Sequence, residues 1–198
     1  MRFASAFLLS AAFAALAVLV AAGVFTGLDQ WAVEHAMPGG HFTGGEPKLV
    51  NAVVPLLGTH WGSAWSVATN VVTLPAGFVV SFVIAWWRSR AVACVLVVAT
   101  AVETLCKNVL ERPELHHGAV HVVAFDTSFP SGHTIRAVLV AGVVAQPFGV
   151  VWAIVCFALL ELAGWHTPTD IAGGVLLGGL ALLGGRALGG RRLLRRRA

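Results

Sequence analysis

The sequence predicts an all-α integral membrane protein, a bundle of six transmembrane helices that forms a single domain over residues 1–198. Of its 198 residues, 58% are hydrophobic and only 11% are charged, whereas soluble domains carry about 25% charged residues. Apolar runs recur along the chain, and a membrane-spanning helix needs roughly 20 such residues. Six spans and their loops leave no room for a separate soluble domain.

The six predicted spans follow one another with short connections. The first is interpreted as an uncleaved span rather than a signal peptide, because its apolar run exceeds the usual length of a signal h-region. Pro75 is expected to kink the second span. The fourth and fifth are short and share a tight turn, and the sixth is rich in glycine, which permits close helix packing in lipid. The spans are residues 4–28, 63–87, 91–110, 131–146, 149–165 and 169–188.

The loops and termini predict the orientation. With the N-terminus inside, nine of the 13 Lys and Arg residues fall on the cytoplasmic side and every Asp, Glu and His falls outside. This bias places both termini in the cytoplasm and the chain in the plasma membrane. Residues 29–62 become an extracytoplasmic loop with a short amphipathic helix near 31–37. The basic tail, 189–198, is expected to contact anionic lipid headgroups rather than nucleic acid.

Three cysteines, Cys94, Cys106 and Cys156, lie inside apolar runs. Their odd number argues against a disulfide framework, so they are interpreted as small packing residues. No spacing typical of a metal site is present. No metal and no cofactor are expected.

Polar residues with catalytic potential recur at the outer ends of spans three to six. Because these ends lie at one depth of the membrane, we expect their side chains to meet in one extracytoplasmic site. The residues are Lys107, Arg112, Ser131, Gly132, His133, His166 and Asp170.

The segment from Pro130 to His133 predicts a helix start that can bind an anion. Serine is a favoured N-cap, and the free N–H groups and the dipole of a helix start attract anions. Gly132 would let a phosphate approach the backbone, and His133 in the first turn could reach the same anion. An ordinary helix cap beside an interfacial histidine fits this tetrapeptide equally well.

Two pairs of residues four positions apart complete the pattern. An aspartate at 170 that accepts a hydrogen bond from Nδ1 of His166 would leave Nε2 free to attack. An interfacial histidine followed by an aspartate N-cap is the alternative interpretation. Glu103 precedes Lys107 by four residues and is expected to pair with it, because an unpaired acid within a span is costly.

The segments 107–113, 130–133 and 166–170 together resemble the type 2 phosphatidic acid phosphatase (PAP2) family, the lipid phosphate phosphatases related to vanadium haloperoxidases. The similarity covers roughly residues 103–174 in the order and spacing of the motifs. The resemblance implies a PAP2/haloperoxidase-like core and phosphoryl transfer without a metal. Phosphoryl transfer depends chiefly on positioning and charge stabilisation, which these residue types supply.

The resemblance also implies roles for individual residues. His166 would be the nucleophile that forms a phosphohistidine, Asp170 its orienting partner, and His133 the general acid that protonates the leaving group. The phosphate ligands implied by the motifs are Lys107, Arg112, Ser131 and Gly132.

The chain departs from the family pattern at two places. Glu114 and Leu115 stand where the first motif usually has Arg-Pro, and Leu159 and Leu160 stand where the third motif usually has Ser-Arg. A missing cation on the phosphoryl group can cost several kcal/mol of transition-state stabilisation.

We therefore expect another cation to take part of the missing role. Arg136 lies one turn after His133 on the same helix face and is expected to bind phosphate, held by Glu161. A buried Arg136–Glu161 ion pair without a catalytic part is the alternative. The cluster of His116, His117 and His121 is interpreted as a polar loop that lines the site entrance.

The expected function is that of a membrane lipid phosphatase. It would hydrolyse a phosphomonoester or pyrophosphate of a lipid, such as phosphatidate, phosphatidylglycerol phosphate or a prenyl pyrophosphate, with a bell-shaped pH profile. The alternatives are a catalytically weakened or inactive lipid-phosphate binder and a lipid phosphotransferase. The expected partners are the lipid phosphate substrate and membrane lipids, without nucleic acid, and a homo-oligomer is left open.

Overall fold

The structure is a computed structural model that describes residues 2–35, 76–144, 147–162 and 165–195. The described chain is mostly helical, as the sequence predicts. Between α4 and α5 lie a short antiparallel hairpin, β1 (His116–His117) and β2 (Val120–His121), and a 3-10 turn (Val123–Phe125). The helices are α1 (Arg2–Ala21), α2 (Thr26–His35), α3 (Ala76–Arg88), α4 (Arg90–Val109), α5 (Gly132–Val143), α6 (Phe148–Leu162) and α7 (Pro168–Arg195).

Three of the described helices are long and apolar enough to cross a membrane: Ala4–Ala21, Arg90–Val109 and Pro168–Gly189. Helices α5 and α6 are shorter, with 12 and 15 residues, and a 12-residue helix rises about 18 Å against a bilayer core of about 30 Å. The described residues therefore give three full-length spans rather than six. The first half of the predicted span 63–87, with Pro75, and most of the loop 29–62 lie outside the described residues.

The first predicted span, 4–28, is interrupted. Helix α1 ends at Ala21, and Gly23 adopts a φ of 74° before α2 begins at Thr26. Glycine adopts this left-handed conformation without steric cost. A Cβ at Gly23 would also lie 2.9 Å from the Pro113 ring. Helix α2, Thr26–His35, begins five residues before the predicted helix 31–37.

Helix α7 is the central element, since it packs against α1, α2, α4 and α5. Its glycines allow this, as the sequence predicts. A Cβ at Gly174 would lie 2.6 Å from both the Ser131 carbonyl oxygen and the Thr134 Cβ. The close approach brings the first turn of α7 to the start of α5, where the Ser131 N–H donates to the Asp170 carbonyl oxygen at 3.0 Å.

Helix α2 packs on the hairpin at the end of the bundle where α4 ends and α7 begins. The Gln30 amide donates to the His116 carbonyl oxygen at 2.7 Å and accepts from the His116 N–H at 2.9 Å. Val33 of α2 is buried with Leu115, Val122 and Phe125 of the connection between α4 and α5. These contacts fix α2 beside the residues that the sequence singles out.

We expect Gly174→Ala to destabilise the protein by about 1–3 kcal/mol, because the added methyl would overlap the α5 backbone in a packed interface. The matched control is Gly179→Ala on the same helix, where the nearest atom to a Cβ, Leu9 Cδ1, lies 3.7 Å away. Thermal unfolding in detergent measures both variants. Equal melting temperatures for the two variants would contradict the close approach of α5 and α7.

Candidate active site

The two histidines of the predicted site contact each other. His133 lies in the first turn of α5, and His166 lies two residues before α7. The His133 Nδ1 and His166 Nε2 atoms are 2.9 Å apart, and their ring centroids are 5.1 Å apart. The two residues are 33 positions apart in the sequence, and they meet because Gly174 lets α5 and α7 approach closely. The expectation that these rings share one site is therefore met in the geometry.

Asp170 faces the other nitrogen of the His166 ring. Its Oδ2 atom lies 3.6 Å from His166 Nδ1, which is beyond hydrogen-bond distance, and accepts from the Thr167 N–H at 3.0 Å. The arrangement leaves Nε2 of His166 directed at His133, which is the orientation that the sequence predicts. A shift of the ring by less than 1 Å would complete the hydrogen bond to Asp170.

Arg112 binds the Asp170 carboxylate and is not an unpaired cation. Its Nη1 donates to Asp170 Oδ1 at 3.0 Å, and its Nη2 donates to Asp29 Oδ2 at 2.6 Å. The side chain is 4% exposed. Two carboxylates occupy both ends of the guanidinium in this structure, and the role of Arg112 as a phosphate ligand stays a prediction.

Asp29 is part of this network although the sequence did not single it out. Its carboxylate also accepts from the Thr169 hydroxyl at 2.6 Å and from the Thr169 N–H at 3.2 Å. Burial raises the pKa of the Asp29 carboxyl, while the hydrogen bonds from Thr169 and the charge of Arg112 oppose that shift. The only feature of the sequence that could have pointed to Asp29 is its position beside a long apolar run. Its partners Arg112 and Thr169 lie 83 and 140 residues away.

Lys107 pairs with Glu103, as predicted, with Nζ 2.8 Å from Oε1. The Glu103 carboxylate packs against the start of α5, where a Cβ at Gly132 would overlap it. Gly132 was predicted to admit a phosphate, and in the structure it admits this internal carboxylate. A negative group at a helix N-terminus is stabilised by the dipole and the free N–H groups, so this cradle accepts an anion.

Arg136 is buried and faces the same carboxylate. Its Nη1 lies 3.7 Å from Glu103 Oε2, and among the described residues its Nε, Nη1 and Nη2 atoms have no hydrogen-bond partner. Glu103 is thus an acidic neighbour of Arg136 that the sequence did not predict, since α5 turns Arg136 towards α4. The predicted Arg136–Glu161 pair stays a prediction. The side chain of Glu161 lies outside the described residues.

Ser131 is the N-cap of α5, as predicted. Its hydroxyl accepts from the Thr134 N–H at 3.2 Å and from the Thr134 hydroxyl at 3.0 Å, and the residue is fully buried. The side chain therefore holds the helix start in place. The first N–H groups of a helix have no acceptor within it, and the Glu103 carboxylate packs beside this helix start at Gly132.

Trp165 contacts this site although it is not among the predicted site residues. Its ring centroid lies 5.4 Å from that of His133. The indole plane is tilted by 53° from the His133 ring, so the two rings meet at an angle. Adjacency to His166 in the sequence was the available signal.

The loop before α5 carries Glu114 and Leu115, the first of the two departures from the motif pattern. Glu114 has 65% of its side chain exposed, and Leu115 is fully buried beneath it. The His116 and His121 rings lie with centroids 5.5 Å apart and their planes tilted by 35°, and His121 Nε2 lies 2.9 Å from Asp126 Oδ1. Among the described residues, no group of three or more acidic, histidine or cysteine side chains could hold a metal.

Comparison with protein-family models, with curated proteins and with solved structures finds no match for this chain.

The His121–Asp126 pair makes a pH-dependent contribution to stability. The hydrogen bond to Asp126 raises the pKa of His121 above its usual 6.5; burial opposes this shift, and the charges of Asp126 and Glu114 add to it. The stabilisation is therefore complete below pH 6.5 and is lost as the pH rises through the raised value. We expect His121→Gln to lower the melting temperature at pH 6 and to have little effect at pH 9.

The control is His35→Gln, since the described contacts of His35 are with Trp31 rather than with an acid. A His121→Gln deficit of equal size at both pH values would show that the pair contributes packing and no charge interaction.

Proposed function

We propose that the protein is a membrane lipid phosphate phosphatase with a PAP2-like site, which works through a phosphohistidine on His166. The observation that carries the proposal is the contact between His133 and His166, with Asp170 on the far side of the nucleophile ring. Two facing imidazoles, one backed by a carboxylate, supply a nucleophile and a general acid. The same geometry is what the family resemblance expects.

The proposed reaction begins when Nε2 of His166 attacks phosphorus, which forms a P–N bond and breaks the bond to the lipid oxygen. His133, protonated, donates its proton to the departing oxygen. His133 then accepts a proton from water, which attacks the phosphohistidine and releases inorganic phosphate. A phosphorus atom must sit about 3–3.5 Å from the nucleophile, so the present 2.9 Å contact between the histidines has to open as the substrate enters.

Cations around the start of α5 support binding of the phosphoryl group. Lys107 and Arg136 both form ion pairs with the Glu103 carboxylate, and both are close enough to His133 to act on its charge. The pair carries one positive charge in excess of Glu103, and the helix start adds its dipole and N–H groups. We propose Lys107, Arg136 and the backbone at Gly132 as the phosphate-binding groups, with Ser131 as the cap that fixes them.

The surroundings of Arg136 support a lipid rather than a water-soluble ester. A cavity of about 100 Å³ lies beside Arg136 and is otherwise lined mainly by apolar side chains of α3, α5 and α6. Large apolar side chains are also exposed on the outer helix faces, as at Phe7, Leu105 and Phe148. We propose six membrane spans, with both termini in the cytoplasm of a plasma membrane and the site on the extracytoplasmic side.

We expect purified protein to release inorganic phosphate from at least one lipid phosphate in detergent micelles containing a chelator. The panel is phosphatidate, phosphatidylglycerol phosphate and a prenyl pyrophosphate. His166→Ala should lower the rate by a factor of about 10³ or more, while His35→Ala, at an exposed histidine of α2, should retain it. Equal release by wild type and His166→Ala would remove the phosphatase proposal, and a phosphorylated alcohol in place of phosphate would indicate a phosphotransferase.

Arg136→Ala should lower kcat/KM by about 10²–10³, because it removes a charge from the transferring phosphoryl group. Arg136→Lys should fall between that variant and wild type, since lysine supplies a point charge without the guanidinium fork. The control is Arg186→Ala, an exposed arginine whose described contact is with the Gly142 carbonyl oxygen. Wild-type turnover in both Arg136 variants would reduce this residue to a structural partner of Glu103.

A further inference from the structure

We propose that Asp29 is a positioning residue for His166, acting from α2 through Arg112 and Asp170. The inference rests on the proposed function in one respect, the role of His166 as nucleophile. The physical chain itself is in the structure: Asp29 Oδ2 to Arg112 Nη2 is 2.6 Å, Arg112 Nη1 to Asp170 Oδ1 is 3.0 Å, and Asp170 Oδ2 to His166 Nδ1 is 3.6 Å.

The charges of this chain decide what Asp29 does. Arg112 is 4% exposed, Asp29 1% and Asp170 0%, so water screens these charges little. One guanidinium between two carboxylates leaves a net charge of −1. Without Asp29, Arg112 would neutralise Asp170 alone and the net charge beside His166 would be zero.

That net charge acts on the His166 ring during formation of the phosphohistidine. When Nε2 forms a bond to phosphorus, the imidazole becomes cationic, with its remaining proton on Nδ1. A carboxylate that keeps its negative charge stabilises this cation, and a carboxylate cancelled by an arginine does so less. Asp29 therefore leaves Asp170 free to act on His166 by binding the opposite end of Arg112.

Asp29 also fixes the positions of Arg112 and Asp170. It accepts two hydrogen bonds from Thr169, the residue directly before Asp170. Helix α2 is itself fastened to the hairpin by Gln30 and Val33. The carboxylate thus binds both the cation that contacts Asp170 and the backbone that carries it.

The test uses Asp29→Asn, which keeps the shape of the side chain and removes its charge. The control is Glu34→Gln, an exposed acid one turn further along α2 that accepts from Gln30. Histidine-selective ¹⁵N labelling of the full chain in detergent micelles gives the titration of the His166 ring, assigned by comparison with His166→Gln. This readout does not depend on activity.

We expect the His166 pKa to fall in Asp29→Asn and to stay at its wild-type value in Glu34→Gln. In the enzyme assay with the best lipid phosphate of the panel, kcat should fall about tenfold, the equivalent of one pKa unit. KM should change less than twofold, and the acid limb of kcat/KM should move to lower pH. Asp29→Glu, which retains the charge, should restore the acid limb.

A double variant separates charge from clamping. In Asp29→Asn combined with Arg112→Gln, Asp170 regains a net charge of −1, so the His166 pKa should return towards wild type. A purely structural clamp predicts the double variant to be worse than either single variant. The titratable groups next to the His166 ring are His133 and Asp170. Arg112 acts on it through Asp170, and Lys107, Arg136 and their partner Glu103 lie around His133.

An unchanged His166 titration in folded Asp29→Asn would overturn the proposal, whatever the activity. If Asp29→Asn does not fold, Asp29→Ser is the second neutral variant. Failure of both to fold, with Glu34→Gln folded, would also overturn it by reducing Asp29 to a residue of the fold alone. If wild type shows no phosphatase activity while the His166 pKa is shifted in Asp29→Asn, the proposed function is contradicted and the positioning role is retained.

Discussion

The arrangement of the site depends on one buried guanidinium held between two carboxylates. Arg112 follows α4, Asp29 lies in α2 and Asp170 lies in the first turn of α7. Removing one partner from a buried ion pair typically costs about 3–5 kcal/mol, because it leaves an uncompensated charge. Asp29 reaches Arg112 because the chain turns after α1, so that α2 lies at the end of the bundle where α7 begins. Gly23, with its positive φ, lies in this turn.

A second balance of charge surrounds the start of α5. The Glu103 carboxylate occupies the position where the helix dipole, Lys107 and Arg136 all favour an anion. Its single negative charge offsets one of the two positive charges and lowers the cost of burying Arg136. A phosphoryl group that approaches this cluster would meet cations already gathered in one place, and the cost of gathering them would have been met in folding. Pre-organised charge of this kind is usually the largest contribution to phosphoryl-transfer catalysis.

The sequence could predict what is local. The Ser131 cap, the Glu103–Lys107 pair and the starts of α5 and α7 follow from residues within four positions of one another, where helix geometry fixes the outcome. The motif order also predicted that His133 and His166 meet. The shared depth of the helix ends placed the two residues at one face of the bundle, and the family resemblance added the expectation that they act on one group.

The rest depends on packing that no local pattern encodes. Asp29 binds Arg112 and Thr169 across 83 and 140 residues, and a single acid beside an apolar run does not reveal such partners. The approach of Arg136 to Glu103 was missed for the same reason, since helix spacing cannot tell which neighbouring helix faces a side chain. The break at Gly23 was missed because the apolar composition continues across it.

The most direct test is to trap the intermediate. Protein mixed with a lipid phosphate of the panel, labelled with ³²P, is quenched in alkali within milliseconds, digested and analysed by mass spectrometry, since phosphohistidine survives alkali. The account predicts label on the peptide that contains His166, accumulating further in His133→Ala if that residue also assists hydrolysis. Turnover of the lipid without any label on His166, or with label on another residue, would contradict the account.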